Sequence, residues 1–326
     1  MASPVTLMTT RQPYLPILFL CAVLQLPGSS ASQAQEATKP TLPGLAATKA
    51  VDLPGLHNVV AYTPGVVGGA VPEGSEGLRT LAMLGIRTVI SVDGATPEVA
   101  PAKALGIRYV HLPIGYDEVP AERARELARA LQVLPGPVYV HCHHGKHRSA
   151  AAAGTACVLA GLATPEEMLA RMQVSGTSPE YAGLFASVRQ ASPAPAAELA
   201  KIPTDFPEVS KVSGMVETMT EIDTVFDLLK QVRAAGFAVP KQNPDLVPVK
   251  EARRLTELLT SLRTDAESAA RPADFRHKLD HSIAVATAFA DGLATPGKDR
   301  QALEAQFAKV QKSCKDCHTS YRDKKN

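Results

Sequence analysis

The period of the hydrophobic pattern changes once along this chain. From Leu56 to Gln190, short apolar runs alternate with amphipathic stretches, which is typical of an α/β domain with a largely parallel sheet flanked by helices. Residues 191–204 are rich in Ala and Pro and predict a linker. Beyond them, apolar residues recur every three or four positions. Residues 205–326 are therefore expected to form an all-α four-helix bundle.

The first residues have the pattern of an export signal. Arg11 precedes an apolar run from Tyr14 to Pro27, and small residues follow it, so we expect a signal peptide over residues 1–34. The run is short for a membrane span, and an uncleaved anchor is the alternative. Residues 35–55, rich in Ala, Thr and Pro, predict a disordered lead-in. The mature protein is expected to be exported, with no membrane span after signal cleavage.

Composition excludes some classes of protein. The formal net charge is +2, there is no Trp, and aromatic residues make up 5% of the chain, so nothing indicates a nucleic-acid partner. Five cysteines, two of them within one C-x-x-C-H sequence, do not suggest a disulfide framework.

Residues 141–149 read HCHHGKHRS, with four histidines and one cysteine in nine residues. An apolar, β-branched strand precedes them and an Ala-rich helix follows, so they form a strand–loop–helix turn. Loop amides and the helix N-terminus can surround an anion there, and the same field stabilises a thiolate at Cys142. Arg148 offers two parallel donors to phosphate oxygens, and Ser149 can donate to a departing thiolate. This arrangement suits a phosphocysteine mechanism.

A metal site is the alternative interpretation of this histidine-rich loop. Zinc requires separated ligands that converge tetrahedrally, whereas a loop curled around an anion points its side chains outward. The spacing therefore favours phosphate over metal.

H-C-x5-R-S is also the signature of cysteine-dependent phosphatases, and the loop resembles that of the plant and fungal atypical dual-specificity phosphatases. The resemblance covers residues 56–190 and implies that Cys142 is the nucleophile and Arg148 the phosphate clamp. It implies a phosphorylated substrate, either a phosphoprotein or a small phosphate ester. Further phosphate contacts are expected from His143, His144, Gly145, Lys146 and His147, with Lys146 and His147 as cationic contacts. Ala150 departs from the Gly that many relatives have there.

Phosphate ester hydrolysis also needs a general acid for the leaving oxygen. The family keeps an Asp on the loop after the preceding strand, and Asp117 stands at that place with Glu118 beside it. We expect Asp117 to be the acid; the alternative is that both are solvated residues before a helix.

The sequence CKDCH at residues 314–318 is the attachment signature of c-type haem. A redox-active C-x-x-C with a chance His is the alternative, but that motif is expected near a βαβ unit. CKDCHTSYR resembles the last helix of the class II cytochromes c, the cytochrome c′ and c556 group. The resemblance implies one covalent haem c, with Cys314 and Cys317 as thioether sites and His318 as proximal iron ligand. It also implies a contact between Arg322 and a haem propionate.

The distal side of the haem is less determined by the sequence. Relatives either leave it open or use a Met from the first bundle helix, and here Met215 and Met219 share one apolar face. Core filling is the usual role of such residues. An antiparallel bundle brings the start of this helix near His318, which favours Met215 as a distal ligand. His277 and His281 are interpreted as surface residues.

Two functions are compatible with these motifs. The first is an exported, periplasmic phosphate monoester hydrolase joined to a c-type haem domain for electron transfer or for redox or gas sensing, with a redox partner protein. The second is a haem protein whose phosphatase-like domain binds anions without turnover.

Overall fold

The computed structural model describes residues 1–3 and 40–323. Nearly all of the predicted signal peptide, together with the start of the predicted lead-in, lies outside the described residues. Within the described part of the chain, no helix is both long enough and apolar enough to cross a membrane.

The first half of the chain forms a mixed six-stranded sheet in the order β1-β2-β3-β6-β4-β5. The strands are β1 (Val51–Leu53), β2 (Leu56–Thr63), β3 (Val66–Ala70), β4 (Thr88–Ser91), β5 (Arg108–His111) and β6 (Val138–Cys142). The four strands β3, β6, β4 and β5 are mutually parallel, as the alternating pattern predicts. β1 and β2 add antiparallel strands at one edge.

Six helices cover the two faces of this sheet. They are α1 (Gly74–Met83), α2 (Val99–Ala104), α3 (Ala121–Val133), α4 (Arg148–Leu159), α5 (Pro165–Val174) and α6 (Ala182–Arg189). Every residue of β6 is buried, as expected for a parallel strand covered on both faces. All residues of α4 from Arg148 to Val158 are buried as well, because its alanines let it lie close to its neighbours.

Two segments predicted to lack structure are ordered. The prediction of a disordered lead-in was wrong for Val51–Leu53, which pairs with β2. The predicted linker contains the short helix α7 (Ala196–Leu199), whose Leu199 is fully buried. These errors have one cause: neither segment is strongly apolar, and both are ordered by contacts that are remote in sequence.

The second half of the described chain is helical. Its elements are α8 (Gly214–Ala234), α9 (Pro248–Ser261), α10 (Ala266–Ala270), α11 (Ala273–Ala294) and α12 (Arg300–Tyr321). The hydrophobic period predicts a first bundle helix from about Phe206 to Ala235, but α8 starts at Gly214, because the residues before it lie beside β5. There the amide of His111 donates to the carbonyl of Pro207 over 2.8 Å.

The hydrophobic period predicts a second bundle helix from about Lys250 to Ala270, but the structure divides this segment into α9 and α10. The Asp265 side chain accepts from the Ser268 amide and so caps a new helix start. Phenylalanines fill the centre of the bundle, where the rings of Phe226 and Phe307 stack with centroids 5.3 Å apart. The expected four long helices are thus present as α8, α9, α11 and α12.

Candidate functional site

The loop between β6 and α4 is held by the strands beside it. Cys142 is the last residue of β6 and pairs with Ala70 of β3, while Arg148 is the first residue of α4. Gly145 has a φ of 71°, and a Cβ there would collide with the backbone of Gly69 and Ala70. Only a residue without a side chain fits this close approach. We call residues 142–148 the catalytic loop, after the role that the sequence predicts for them.

The carbonyl groups of the catalytic loop are held on its outer side. The Asn58 side chain donates to the Gly145 carbonyl over 3.0 Å, and the Thr177 hydroxyl donates to the Lys146 carbonyl over 2.5 Å. Because a peptide's N–H points opposite to its C=O, this arrangement directs the following amides inward. Amides arranged in this way can bind an anion.

Cys142 and Ser149 meet inside this loop. The Cys142 side chain is buried, and its Sγ lies 3.3 Å from Ser149 Oγ. Ser149 is fully buried, so its hydroxyl has few partners other than this sulfur. A hydroxyl at this distance can donate to a thiolate when the thiolate forms or departs.

Arg148 is held by an aspartate that the sequence analysis did not identify. Its Nη2 lies 3.0 Å from Asp93 Oδ2, and both side chains are buried. The same carboxylate accepts from the His143 amide over 2.5 Å. Asp93 lies two residues beyond β4, which neighbours β6, so the carboxyl ends of the two strands bring it to the loop. The sequence feature that could have identified Asp93 is its position just after a predicted strand.

The charge of Arg148 keeps Asp93 ionised. Burial by itself raises the pKa of the Asp93 carboxyl, but the Arg148 guanidinium and the Ala95 amide outweigh it and hold that pKa below its usual value. A buried, ionised pair of this kind is stable only while both partners are present.

One donor of Arg148 remains available inside the site. Arg148 Nε is buried and has no hydrogen-bond partner among the described residues. The ring of Tyr116 covers the guanidinium, with the central carbon 4.3 Å from the ring centroid. Since buried donors are normally paired, this unpaired N–H at the loop indicates a place for an anionic oxygen.

Asp117 lies on the loop after β5, as the sequence predicts. It is exposed and lines the same cavity as Arg148. Its backbone packs against Gly183 of α6, where a Cβ would overlap the Asp117 carbonyl. The structure therefore brings the expected acid and the expected clamp to one cavity.

The four histidines of residues 141–149 have different surroundings. His141 is buried in β6, and Tyr109 Oη lies 2.6 Å from its Nε2. His147 packs on Tyr181 with ring centroids 4.6 Å apart. Burial and nearby cations lower the pKa of His147 to about 4, so it is neutral near pH 7. A neutral His147 differs from the expected cationic contact, whereas the Lys146 side chain is exposed at the loop.

The side chains of His143 and His144 face the helical bundle. His143 Nε2 lies 2.8 Å from Asp227 Oδ2 of α8, and His144 Nε2 lies 3.7 Å from the same oxygen. The His143 amide already donates to Asp93, so of the backbone amides of these two residues only that of His144 could contact phosphate.

The haem attachment residues expected from CKDCH line a cavity of about 910 Å³. Cys314, Cys317 and His318 are all on its wall, and the two cysteines are free thiols. Apolar side chains from α8, α9 and α11 complete it, including Phe226, Leu259, Phe275 and Leu279. Burial lowers the pKa of His318 to about 4, which keeps the imidazole neutral, as an iron ligand must be. The volume, the apolar lining and the donors fit a haem.

Met215 and Met219 also line this cavity. Both are half-buried and pack against the core of the bundle. Both methionines are thus in the cavity that would hold the haem, and the assignment of Met215 as distal ligand stays a prediction.

The cavity extends to the catalytic loop, since Tyr116, Asp117 and Arg148 are part of its lining. Arg322, which follows α12, donates to Tyr181 Oη over 3.0 Å. Its guanidinium lies 4.4 Å from the centroid of the Tyr116 ring. Tyr116 therefore contacts the guanidinium groups of both Arg148 and Arg322. The expected propionate contact of Arg322 stays a prediction, and its position beside the phosphatase-like site was not foreseen.

Comparisons with known proteins give separate matches for the two parts of the chain. The family model described as Cytochrome C' matches residues 260–322. No curated relative matches this sequence.

Among solved structures, TpbA from P. aeruginosa is 26% identical, with 44% of this chain and 89% of that chain covered and a TM-score of 0.38. A TpbA structure in complex with pTyr is 23% identical, and the match covers 45% of this chain and 91% of that chain with a TM-score of 0.39. The core catalytic domain of the PP-IP phosphatase SIW14 from S. cerevisiae is 16% identical. That match covers 44% of this chain and 89% of that chain with a TM-score of 0.36. The similarity to these phosphatase structures is thus partial, and the match to the cytochrome C' family covers residues 260–322.

Proposed function

We propose that this protein hydrolyses phosphate monoesters through a phosphocysteine intermediate formed on Cys142. The observation that carries the proposal is the contact between Cys142 Sγ and Ser149 Oγ inside a loop whose buried Arg148 has an unpaired Nε. A nucleophile, a donor to its thiolate and a guanidinium for phosphate oxygens therefore converge on one point.

In the first step, the Cys142 thiolate attacks phosphorus while the bond from phosphorus to the ester oxygen breaks. The inward amides and Arg148 bind the three non-bridging oxygens, where negative charge is concentrated. Asp117 gives its proton to the departing oxygen, so the alcohol leaves neutral. Cys142 is now phosphorylated and Asp117 is ionised.

In the second step, water attacks the phosphorus and the bond from phosphorus to sulfur breaks. Asp117 takes a proton from that water, and the Ser149 hydroxyl donates to the sulfur as its electron pair returns. Inorganic phosphate leaves, and both Cys142 and Asp117 regain their starting states.

We also propose that the bundle carries one covalent haem c, joined to Cys314 and Cys317 and coordinated by His318. The family match over residues 260–322 and the shared cavity of these residues support it. When bound, the haem would supply one-electron chemistry at iron, and Cys314, Cys317, His318 and Met215, which line one cavity, would hold it. Covalent c-type attachment occurs outside the bacterial cytoplasm, which agrees with the expected signal peptide and a periplasmic location.

The continuous cavity supports a further part of the proposal, namely that the state of the haem domain modulates the phosphatase. Tyr116 contacts Arg148 on one side and Arg322 on the other. Arg322 follows the helix that carries His318, and its amide donates to the His318 carbonyl over 2.8 Å. The substrate would be a phosphoprotein or small phosphate ester, and a redox partner protein would exchange electrons with the haem.

Cys142→Ser tests the phosphatase. We expect the variant to lose turnover of an aryl phosphate but still bind phosphate or vanadate, because the amides and Arg148 remain. Cys157→Ser is the matched control, since Cys157 is a buried thiol of α4 outside the loop. Retained turnover in Cys142→Ser would place the nucleophile elsewhere. Anion binding without turnover in the unmodified protein would favour the anion-binding alternative.

Extraction with acid–acetone tests the haem. We expect the colour to stay with the polypeptide and the mass to exceed that of the chain by one haem. Met215→Ala should change a low-spin spectrum to high-spin, and a high-spin spectrum in the unmodified protein would exclude Met ligation.

A further inference from the structure

The outer side of the catalytic loop carries three metal-ligating groups from two parts of the chain. His143 and His144 come from the loop, and their rings meet edge to face with centroids 4.5 Å apart. Asp227 comes from α8, 84 positions further along. One ligand atom from each residue lies within 4.8 Å of the other two. The separated ligand that the loop sequence lacks is therefore supplied by the bundle.

The spacing of these atoms suits a small divalent cation. Zinc–nitrogen and zinc–oxygen bonds of about 2.0–2.2 Å place tetrahedral ligands about 3.3–3.6 Å apart. Asp227 Oδ2 lies 2.8 Å from His143 Nε2 and 3.7 Å from His144 Nε2, which are values on either side of that spacing. A cation could therefore replace the proton now shared by His143 and Asp227 with small rotations of the side chains.

The surrounding residues already orient the carboxylate. Lys230 Nζ lies 2.5 Å from Asp227 Oδ1, so that oxygen is occupied while Oδ2 faces both imidazoles. This is the outer-sphere arrangement in which a charged partner fixes a ligating carboxylate. One turn earlier on α8, Asp223 Oδ2 lies 3.9 Å from His143 Nε2. Asp223 or a water molecule can complete four-coordination.

We propose that His143, His144 and Asp227 form a binding site for a divalent cation of the zinc class, shared between the catalytic loop and α8. Two imidazoles and one carboxylate are a ligand set that zinc accepts. The bound cation would join the helical bundle to the back of the loop that carries Cys142. Zinc would then lower phosphatase turnover by fixing α8 against the loop.

Zinc affinity is measured first, by competition with a chromophoric chelator. The protein is the full chain with Cys142→Ser, because this substitution removes the Cys142 thiolate as a competing zinc ligand. Asp227→Asn is compared with Asp227→His, which restores a ligating nitrogen. Asp291→Asn is the matched control, because Asp291 is an exposed helical carboxylate paired with Arg253. The haem-loaded protein is used, in which Cys314 and Cys317 would be joined to the haem and would not compete for zinc.

We expect Asp227→Asn to weaken zinc binding by about 100-fold or more, since outer-sphere changes alone cost about 10–100-fold. Asp227→His should keep affinity within about tenfold of the parent, and Asp291→Asn should leave it unchanged. Equal affinity in the parent and Asp227→Asn would overturn the proposal. So would weak binding in Asp227→His, because Asp227 would then serve only as an ionic contact between the loop and α8.

Inhibition provides a second readout on protein that retains Cys142. Zinc should inhibit aryl phosphate turnover in the unmodified protein and in Asp291→Asn at concentrations that leave Asp227→Asn active. Equal inhibition of all three would show that zinc acts at Cys142 and would contradict the proposed site. Because the affinity measurement needs no turnover, failure of the phosphatase proposal and failure of the zinc proposal are distinguishable.

Discussion

The orientation of Arg148 depends on a single carboxylate 55 positions earlier in the chain. Asp93 pairs with the guanidinium and also accepts from the His143 amide, so one side chain holds both ends of the catalytic loop. Asp93 does not reach the reacting atoms, and we regard it as a positioning residue. Its role differs from that of Asp117, which faces the open cavity.

Asp93→Asn should destabilise the protein and weaken phosphate binding. Removal of one partner from a buried ion pair costs about 3–5 kcal/mol, because Arg148 is left without a counter-charge. The measurements are the free energy of unfolding in denaturant and the Kd for phosphate. Asp291→Asn, at an exposed ion pair, should change stability by about 1 kcal/mol or less. Unchanged phosphate affinity in Asp93→Asn would contradict the positioning role.

Asp117→Asn should slow hydrolysis by about 10²–10⁴-fold, the usual contribution of a general acid. The loss should shrink for esters with good leaving groups, since their oxygens need less protonation. A series of aryl phosphates of decreasing leaving-group basicity measures this directly. Glu118→Gln is the control and should retain activity. A loss that is the same for every leaving group would show that Asp117 acts in another way.

At the level of elements, the site forms where β6 ends and α4 begins. Gly145 lies against the end of β3 with a positive φ, so the path of the loop depends on both its conformation and its contact. Gly161, at the end of α4, has a similar φ of 70° but open space around it. A comparison of the two positions therefore separates the effect of backbone strain from the effect of steric contact.

Gly145→Ala should abolish turnover, whereas Gly161→Ala should retain it. Each substitution carries the cost of a left-handed residue, about 1–2 kcal/mol. Gly145→Ala also pushes the loop away from β3 and so misplaces the amides around the anion. Turnover of an aryl phosphate and thermal unfolding of both variants check this. Normal turnover in Gly145→Ala would show that the loop tolerates displacement.

Local patterns predicted most of the elements and which residues of the candidate site lie close together. Cys142, Arg148 and Ser149 are close in sequence, so the strand–loop–helix pattern was sufficient to bring them together. The period of the bundle helices placed Cys314 and Cys317 toward the core. Asp93 could not be assigned in this way, because its contact depends on the order β6-β4 in the sheet.

The contact of His143 with Asp227 was also beyond prediction. It depends on how α8 lies against the sheet domain, and no periodicity in either segment encodes that placement. The starts of α8 and α10 were not predicted either. Ser213 and Asp265 cap these two starts, and the residues before α8 lie beside β5.

At the scale of the whole molecule, the expected haem residues and the catalytic loop share one cavity. Arg322 lies where they meet, between Tyr181 and Tyr116. A change of charge at Arg322 should therefore affect both the catalytic loop and the expected haem site. This makes Arg322 the residue through which communication between the domains can be tested.

Arg322→Gln should raise KM for an aryl phosphate about fivefold, which corresponds to about 1 kcal/mol for one screened charge. It should also lower the haem reduction potential, because loss of a nearby cation favours the more positive oxidised iron. Arg263→Gln, at an exposed pair with Asp280, is the matched control and should change neither quantity. A change in only KM or only the reduction potential would contradict the idea that Arg322 acts on both sites.

The most direct test of the central claim is to map the phosphoryl group on the protein during turnover. Full-length protein is mixed with an aryl phosphate, quenched within milliseconds, digested and analysed by mass spectrometry. We predict one phosphoryl group on the peptide containing Cys142, localised to its sulfur and absent from Cys142→Ser. A phosphoryl group on His143, His144 or His147, or rapid hydrolysis with no phosphorylated peptide, would contradict the phosphocysteine mechanism.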